Sequence, residues 1–465
     1  MELTLNDATI EYRDGGLSLN VQPRDKFNLI YGSLVLAGAG YLMPYNSFIT
    51  CVDYMHLKYP HNNVEFDISS IYIFVAFIFV LFTNILVDII STHARIFGGY
   101  FLAIVPLTFV SIFHLYWDII PQSFSYATWL ICAAITSAGC SVQQSSFYGY
   151  TGMLPPAYVH AVMLGESLSG VISSFNRILT KLLITDSRIN TLLFFILSIF
   201  ILLFCTFVHF IVKRTKFVRY HLQNANDESI EIALEVLREN VPSNMEENNH
   251  NLFGPSLSDV ENLIEAPSYT IGIWSLVTQA LKVRWGVIKI IWPYMISIMN
   301  AYFVTLSLFP GFETEIQDSY WKDWYPIILL TLFNVFDFLG KILSANSRDW
   351  NTYLLMSLTT MRYLLIPAFI LCIYPLSQPY FAPPTGPVIL TILLGITNGY
   401  YGSAPMILAP QKTDQKEHAG NLMTFAYFVG LILGCANAYL LLFLTGVNKI
   451  FVEEACDNHT ISKII

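Results

Sequence analysis

Eleven stretches of this sequence stay apolar over the length of a bilayer-crossing helix. The hydrocarbon core of a membrane takes ~20 residues of helix to cross. Within that core every backbone N–H and C=O must find its partner inside the segment or in a closed barrel. A chain with eleven such stretches has little choice beyond a helical bundle in a membrane. Composition agrees. The chain is 54% hydrophobic and 12% charged, with a mean hydropathy of +0.53, where a soluble protein carries about a quarter charged residues. A transmembrane barrel would show short alternating segments instead. The expected fold class is therefore an all-α polytopic membrane protein with 11 transmembrane helices.

The spans are expected at about 27–51, 68–90, 97–117, 125–147, 158–183, 189–212, 285–309, 325–345, 352–375, 387–409 and 420–446. This is a 6+5 arrangement. It divides the chain into a polar tail (1–26), an N-terminal bundle (27–212), a largely flexible loop (213–284), a C-terminal bundle (285–446) and a polar tail (447–465). An odd number of spans puts the termini on opposite sides. Lys213, Arg214, Lys216 and Arg219 precede the long loop, and Lys282, Arg284 and Lys289 close it. The positive-inside bias then makes the N-terminus and this loop cytoplasmic and the C-terminus extracellular. The sequon Asn458-His459-Thr460 falls on the glycosylation-competent side. The polar, acidic start does not read as a cleavable signal, so the first span itself directs insertion. With no strong organelle signal, the plasma membrane is the expected location.

Several function classes drop out. The seven cysteines include no CxxC pair and no metal spacing, so neither a disulfide framework nor a metal site is expected. No cofactor is implied. No basic tract suggests nucleic acid. There is no GxxxxGK[ST] loop to drive transport with ATP. No HExxH or GxSxG lies among the spans, so an enzyme is not expected. No repeated filter-like loop points to an ion channel.

Polar residues inside the spans carry the remaining argument. Charge at mid-bilayer costs roughly 2.5–3.5 kcal/mol on insertion scales, so such residues face the bundle interior. In the fifth span Glu166 stands among Gly165, Ser167, Ser169 and Gly170, about a third of the way into the apolar run. Contact with substrate or proton competes there with a structural pair to another span. Arg177 is eleven residues on, ~16 Å along a helix, and is not its direct partner. His160 follows the Pro155-Pro156 turn and reads as interfacial. In the eighth span Asn334, Asp337 and Lys341 share one helical face. Asp337 and Lys341 are also spaced as an i,i+4 pair, and a self-neutralising pair is the competing explanation. In the first span Tyr45 and Asn46 follow Pro44, where a broken helix would line a substrate site, or Asn46 packs locally. Gln143 and Gln144 in the fourth span offer amides to a substrate or to a neighbouring helix. Arg362 in the ninth span reads as a structural or gating partner for a carboxylate, and Asn398 in the tenth as a packing residue.

These stretches resemble the equilibrative nucleoside transporter family over nearly the whole chain. Pro44-Tyr45-Asn46-Ser47-Phe48-Ile49-Thr50 is similar to the family's Pro-Trp-Asn-x-Phe-Ile-Thr. Gln144 through Gly170, Phe333-Asn334 through Gly340-Lys341, Arg362 with Pro367, and Thr397-Asn398-Gly399-Tyr400 resemble its further motifs in order and spacing. The resemblance implies a major-facilitator-like fold and alternating access. Three positions depart from the pattern. Tyr45 stands for a tryptophan, Glu166 for a neutral glutamine, and Lys341 for an arginine. The aspartate and arginine of the eighth span are implicated in ribose binding in nucleoside carriers, and Lys341 lacks arginine's planar fork. The combination resembles the family's plasma membrane monoamine transporter branch.

The first expectation is therefore facilitated transport of organic cations and monoamines. Glu166 would pair with the ammonium, Asp337 would add negative potential, and Tyr45 would offer an aromatic face. Burial of a carboxylate leaves proton coupling or stimulation by acid open. The alternative is nucleoside or nucleobase transport, with Gln144, Asn334 and Asp337 as hydrogen-bonding residues. A distant third is a non-transporting receptor or scaffold acting through the long loop. Expected partners are a small-molecule substrate and the lipid bilayer, with the monomer as the functional unit.

Overall fold

The computed structural model describes residues 8–13, 16–21 and 25–445, apart from 221–272, positions 185, 213 and 315, and short loop stretches at 52–53, 56–57, 60–63, 87–89, 114–120, 317–319, 322–323, 347–349, 374–379 and 382–383. The sequon at Asn458 and most of the long loop lie outside the described residues.

Each apolar stretch coincides with a helix. The N-terminal six are α1 (Leu29–Thr50), α2 (Val64–Leu86), α3 (Thr92–Phe113), α4 (Gln122–Gly152), α5 (Pro156–Leu183) and α6 (Ser187–Val212). The remainder are α7 (Ile273–Leu308), α8 (Tyr325–Leu343), α9, α10 (Thr385–Leu408) and α11 (Lys416–Thr445). Helix α9 is broken, with Thr352–Met361 followed by a tighter 3-10 turn Arg362–Leu364 and then Leu365–Ile370. Two features of the element order depart from expectation. Helix α7 starts at Ile273, inside the segment read as loop. The N-terminal tail contains an antiparallel hairpin, β1 (Ala8–Arg13) and β2 (Gly16–Val21), with Ala8 opposite Val21. Leu17, Leu19 and Val21 alternate with Ser18 and Asn20, the period of a strand.

Eight of the described helices are, by length and composition, apolar enough to cross a membrane. The set leaves out α1, α5 and α10, although they run to 22, 28 and 24 residues. Their apolar character is diluted by glycine, hydroxyl and amide residues. All three build the site described below. Large side chains such as Phe74, Phe101, Phe200 and Leu444 are more than 60% exposed on the outside. Such a surface suits lipid rather than water.

The interior has three main cores. One lies among the N-terminal helices around Phe48, Trp129 and Phe195, and one among the C-terminal helices around Phe312, Phe333 and Phe369. The third runs across the seam, with Tyr41, Tyr148, Tyr302 and Met423. Close helix crossings set the geometry. A Cβ on Gly38 would stand 2.2 Å from the Val162 carbonyl oxygen, and one on Gly165 2.0 Å from that of Val35. Helices α1 and α5 therefore meet backbone to backbone, as small residues allow in membranes. Pro44 does not break α1, which runs through it. The start of α1 is fixed from outside the helix. The Asp25 carboxylate accepts from the Ile30 and Tyr31 amides, both at 3.1 Å, and from the Tyr158 hydroxyl at 3.3 Å. It thereby satisfies two otherwise orphaned N–H groups and ties α1 to α5.

Candidate functional site

The first turns of α5 place Glu166 eleven residues into the helix, next to the α1 crossing at Gly165. Glu166 is 4% exposed. One of its oxygens, Oε1, receives three donors. These are the Tyr41 hydroxyl, the Tyr148 hydroxyl at 2.6 Å and the Gln144 amide at 2.8 Å. The other, Oε2, faces the Lys341 ammonium at 3.3 Å. Helices α1, α4, α5 and α8 thus converge on one carboxylate.

Asp337, one turn before Lys341 on α8, stands beside this pair. Its Oδ2 is 3.8 Å from Lys341 Nζ and also accepts from the Ser167 hydroxyl. Its Oδ1 accepts from the Asn398 amide at 2.7 Å. The α8–α10 crossing makes this possible, because a Cβ on Gly399 would stand 2.0 Å from the Asp337 carbonyl oxygen. The chain of bonds continues through Asn398 Oδ1, which accepts from Thr305 at 2.6 Å, to Arg362 Nη2, 2.9 Å from Thr305 Oγ1. Two carboxylates and two cations therefore lie in one connected network at the seam between the halves.

Three comparisons bear on what such a site belongs to. The nucleoside transporter family model matches residues 130–443. Zebrafish (Danio rerio) equilibrative nucleoside transporter 4 is 41% identical over 458 residues, covering 94% of this chain and 88% of that protein. The chain belongs to the equilibrative nucleoside transporter family. The human protein of the same name is 40% identical over 91% of this chain and 84% of its own length. The Arabidopsis thaliana equilibrative nucleotide transporter 1 is 29% identical over 90% of this chain and 87% of its own. In fold, the chain is similar to the major facilitator superfamily transporter FucP, with a TM-score of 0.50 at 14% identity over 92% of this chain and 98% of that one. The protein is thus a multi-pass membrane transporter of a facilitative family, with a small molecule as its substrate.

Within this family fold the expected residues sort by position. Glu166, Gln144, Asp337 and Lys341 come together directly. Asn334, one turn from Asp337, donates to Ser174 at 2.9 Å and packs on Gly170, linking α8 to α5. Asn46 donates to Ser169 on α5. The Tyr45 ring lies tilted against Tyr72 with centroids 3.9 Å apart, on the α2 side of α1. Arg362 bonds the Ala301 carbonyl at 2.6 Å together with Thr305, Thr397 and the Leu394 carbonyl, and its link to Asp337 runs through Thr305 and Asn398. Asn398, read as packing, touches the carboxylate itself. Both glutamines bond neighbouring helices, Gln144 the Glu166 carboxylate of α5 and Gln143 the Ile96 carbonyl of α3 at 3.3 Å. Arg177 is held by Asn190 and Thr191 of α6, consistent with its distance from Glu166.

Tyr41 and Tyr148 do not stand out in the sequence on their own. Spacing could have found Tyr148, and the small-residue crossing of α1 points to Tyr41. Tyr148 is one turn after Gln144 on the same helical face, and Tyr41 is one turn after Ala37 and Gly38, on the stretch of α1 that crosses α5 at Gly165. His160, just after the Pro155-Pro156 turn, is buried, at 6% exposed. Its Nδ1 lies 3.0 Å from the Tyr31 hydroxyl and its Nε2 2.7 Å from the Lys341 carbonyl oxygen, so it joins α1, α5 and α8.

Proposed function

We propose that the protein carries organic cations and monoamines by alternating access, with Glu166 recognising the amine charge. The observation that carries this reading is a buried carboxylate on which four helices converge at the seam of the two halves. A neutral nucleoside needs hydrogen-bonding groups at this point and has no use for a full charge. A buried carboxylate is stabilised by a cation beside it, the position that Lys341 holds here. Asp337 supplies a second negative charge within the same network. Tyr41 and Tyr148 lie against Glu166. Aromatic faces around an anion suit an aryl-alkyl ammonium. Lys341 lacks the rigid fork that grips vicinal hydroxyls.

The second reading is nucleoside or nucleobase transport. The relatives' names favour it, and Gln144, Asn334, Asp337 and Asn398 are the amides and acid it would use. Placement in the plasma membrane belongs to the first reading. So do a cytoplasmic N-terminus and long loop, an extracellular C-terminus glycosylated at Asn458, action as a monomer, and stimulation by mild acid.

Uptake by cells without background carriers tests the reading, with a radiolabelled monoamine in one arm and uridine in the other, at neutral and mildly acidic pH. Saturable amine uptake that exceeds uridine uptake and rises in acid is expected. Uridine uptake that dominates at both pH values would replace this reading with the second.

A further inference from the structure

The site as it stands is already neutralised. Glu166 and Asp337 face Lys341 directly, and Arg362 adds a second cation through Thr305 and Asn398. A positively charged substrate entering here would bring an unmatched charge into a buried region, which is strongly unfavourable. One internal cation has to withdraw. The two candidates differ in how they are held. The Arg362 guanidinium is fixed by two carbonyls and two hydroxyls from α7 and α10. The Lys341 ammonium has Glu166 at 3.3 Å and Asp337 at 3.8 Å, and it sits on a flexible four-carbon stem.

The backbone of Lys341, by contrast, is anchored. Its carbonyl accepts from Ser344 at 2.7 Å and from His160 Nε2 at 2.7 Å. Withdrawal is therefore a swing of the side chain about a fixed point, with α8 left in place.

We propose that Lys341 is a built-in counter-cation, whose ammonium occupies the position between Glu166 and Asp337 that a substrate ammonium takes by displacing it. This rests on the cation reading above and adds to it. In the empty carrier, Lys341 on α8 ties the two halves together through Glu166 on α5. In the loaded carrier, the substrate's charge does so in its place. The same device excludes small metal cations from the resting site, because they meet a compensated charge.

The test compares wild type, Lys341→Met and the doubly neutral Glu166→Gln/Lys341→Met in purified protein and in cells. Lys341→Met removes the competitor and keeps much of the side-chain volume. Its monoamine KM is expected to fall about tenfold, as when a competing occupied state is removed from a binding equilibrium. n-Butylammonium, a bare alkyl cation, is expected to raise the melting temperature of Lys341→Met by at least ~2 °C and to leave wild type and the double variant unmoved. The double variant removes both charges together, so it remains folded if an unpaired Glu166 unfolds Lys341→Met. In that event, loss of fold in Lys341→Met that is reversed by n-butylammonium supports the proposal equally. An unchanged or higher KM in folded Lys341→Met overturns it. So does equal stabilisation of all three proteins, or failure of the amine to restore an unfolded Lys341→Met. Should wild type carry uridine and no amine while n-butylammonium still selects Lys341→Met, the substrate assignment fails and the counter-cation stands. Should wild type carry amines while Lys341→Met changes neither KM nor its response to n-butylammonium, the counter-cation fails and the substrate assignment stands.

Discussion

At the scale of single residues, the charge on Glu166 is shaped by its donors. Tyr41, Tyr148 and Gln144 all address Oε1, which leaves Oε2 to the cation. Hydrogen bonds to a charged group are worth about 1.5–3 kcal/mol, and a factor of ten corresponds to about 1.4. Tyr148→Phe is therefore expected to raise the monoamine KM about tenfold while protein still reaches the cell surface. A KM within about twofold of wild type, well below the effect of a charged hydrogen bond, would show that the hydroxyl does not orient the carboxylate. Much of this residue-level picture was legible in the sequence, because an acid in an apolar run has few places to go. The i,i+4 spacing of Asp337 and Lys341 was legible too, but its partner was not. Lys341 lies closer to Glu166, 175 positions away, than to Asp337 on its own helix. Such pairings depend on helix packing, which no local spacing encodes. Glu313 shows the same limit. Its acidic neighbourhood reads as a loop, yet it is 1% exposed and bonded by Thr391 of α10.

At the scale of elements, the site depends on two helix crossings rather than on loops. The α1–α5 contact at Gly38 and Gly165 brings Tyr41 to Glu166, and the α8–α10 contact at Gly399 brings Asn398 to Asp337. Each would place a new Cβ against backbone, which cannot give way as a flexible side chain can. Gly165→Leu is expected to abolish folded protein, judged by a monodisperse peak in fluorescence size-exclusion chromatography. Overpacking usually costs about 1–3 kcal/mol, and here the clash is with main chain. A normal peak with normal uptake would mean that α1 and α5 do not cross as closely as described. Ala37, Gly38, Ala39 and Gly40 in the first span form a small-residue run that suits close helix contact. That Pro44 leaves α1 continuous was not legible in the sequence, because a proline in a bundle can be accommodated by its neighbours.

For the whole molecule, contacts between the halves run along the full seam. Ser70 of α2 reaches Tyr439 and Cys435 of α11 near one end, at 2.7 and 3.3 Å. Glu166 and Lys341 meet in the middle. Arg95 of α3 meets Glu417 of α11 at 3.2 Å near the other end. Alternating access requires one end of the seam to part while the other holds. The Ser70–Cys435 contact offers a simple probe, since a thiol at position 70 would face a native thiol. Disulfides need Cβ atoms ~3.8 Å apart, a separation compatible with this contact. Ser70→Cys is expected to lose most uptake under a mild oxidant and to recover it under reductant, while wild type is unaffected. Uptake indifferent to oxidation, with the cross-link shown to form, would mean that this end of the seam does not open. On the proposed reading, the charge at Glu166 selects the substrate. The most direct measurement is paired uptake of a radiolabelled monoamine and of uridine by wild type and Glu166→Gln, with surface expression matched. Amine uptake is expected to collapse in Glu166→Gln, with uridine uptake unchanged or raised. Amine uptake that survives the substitution would contradict the claim and leave Glu166 a structural residue of the seam.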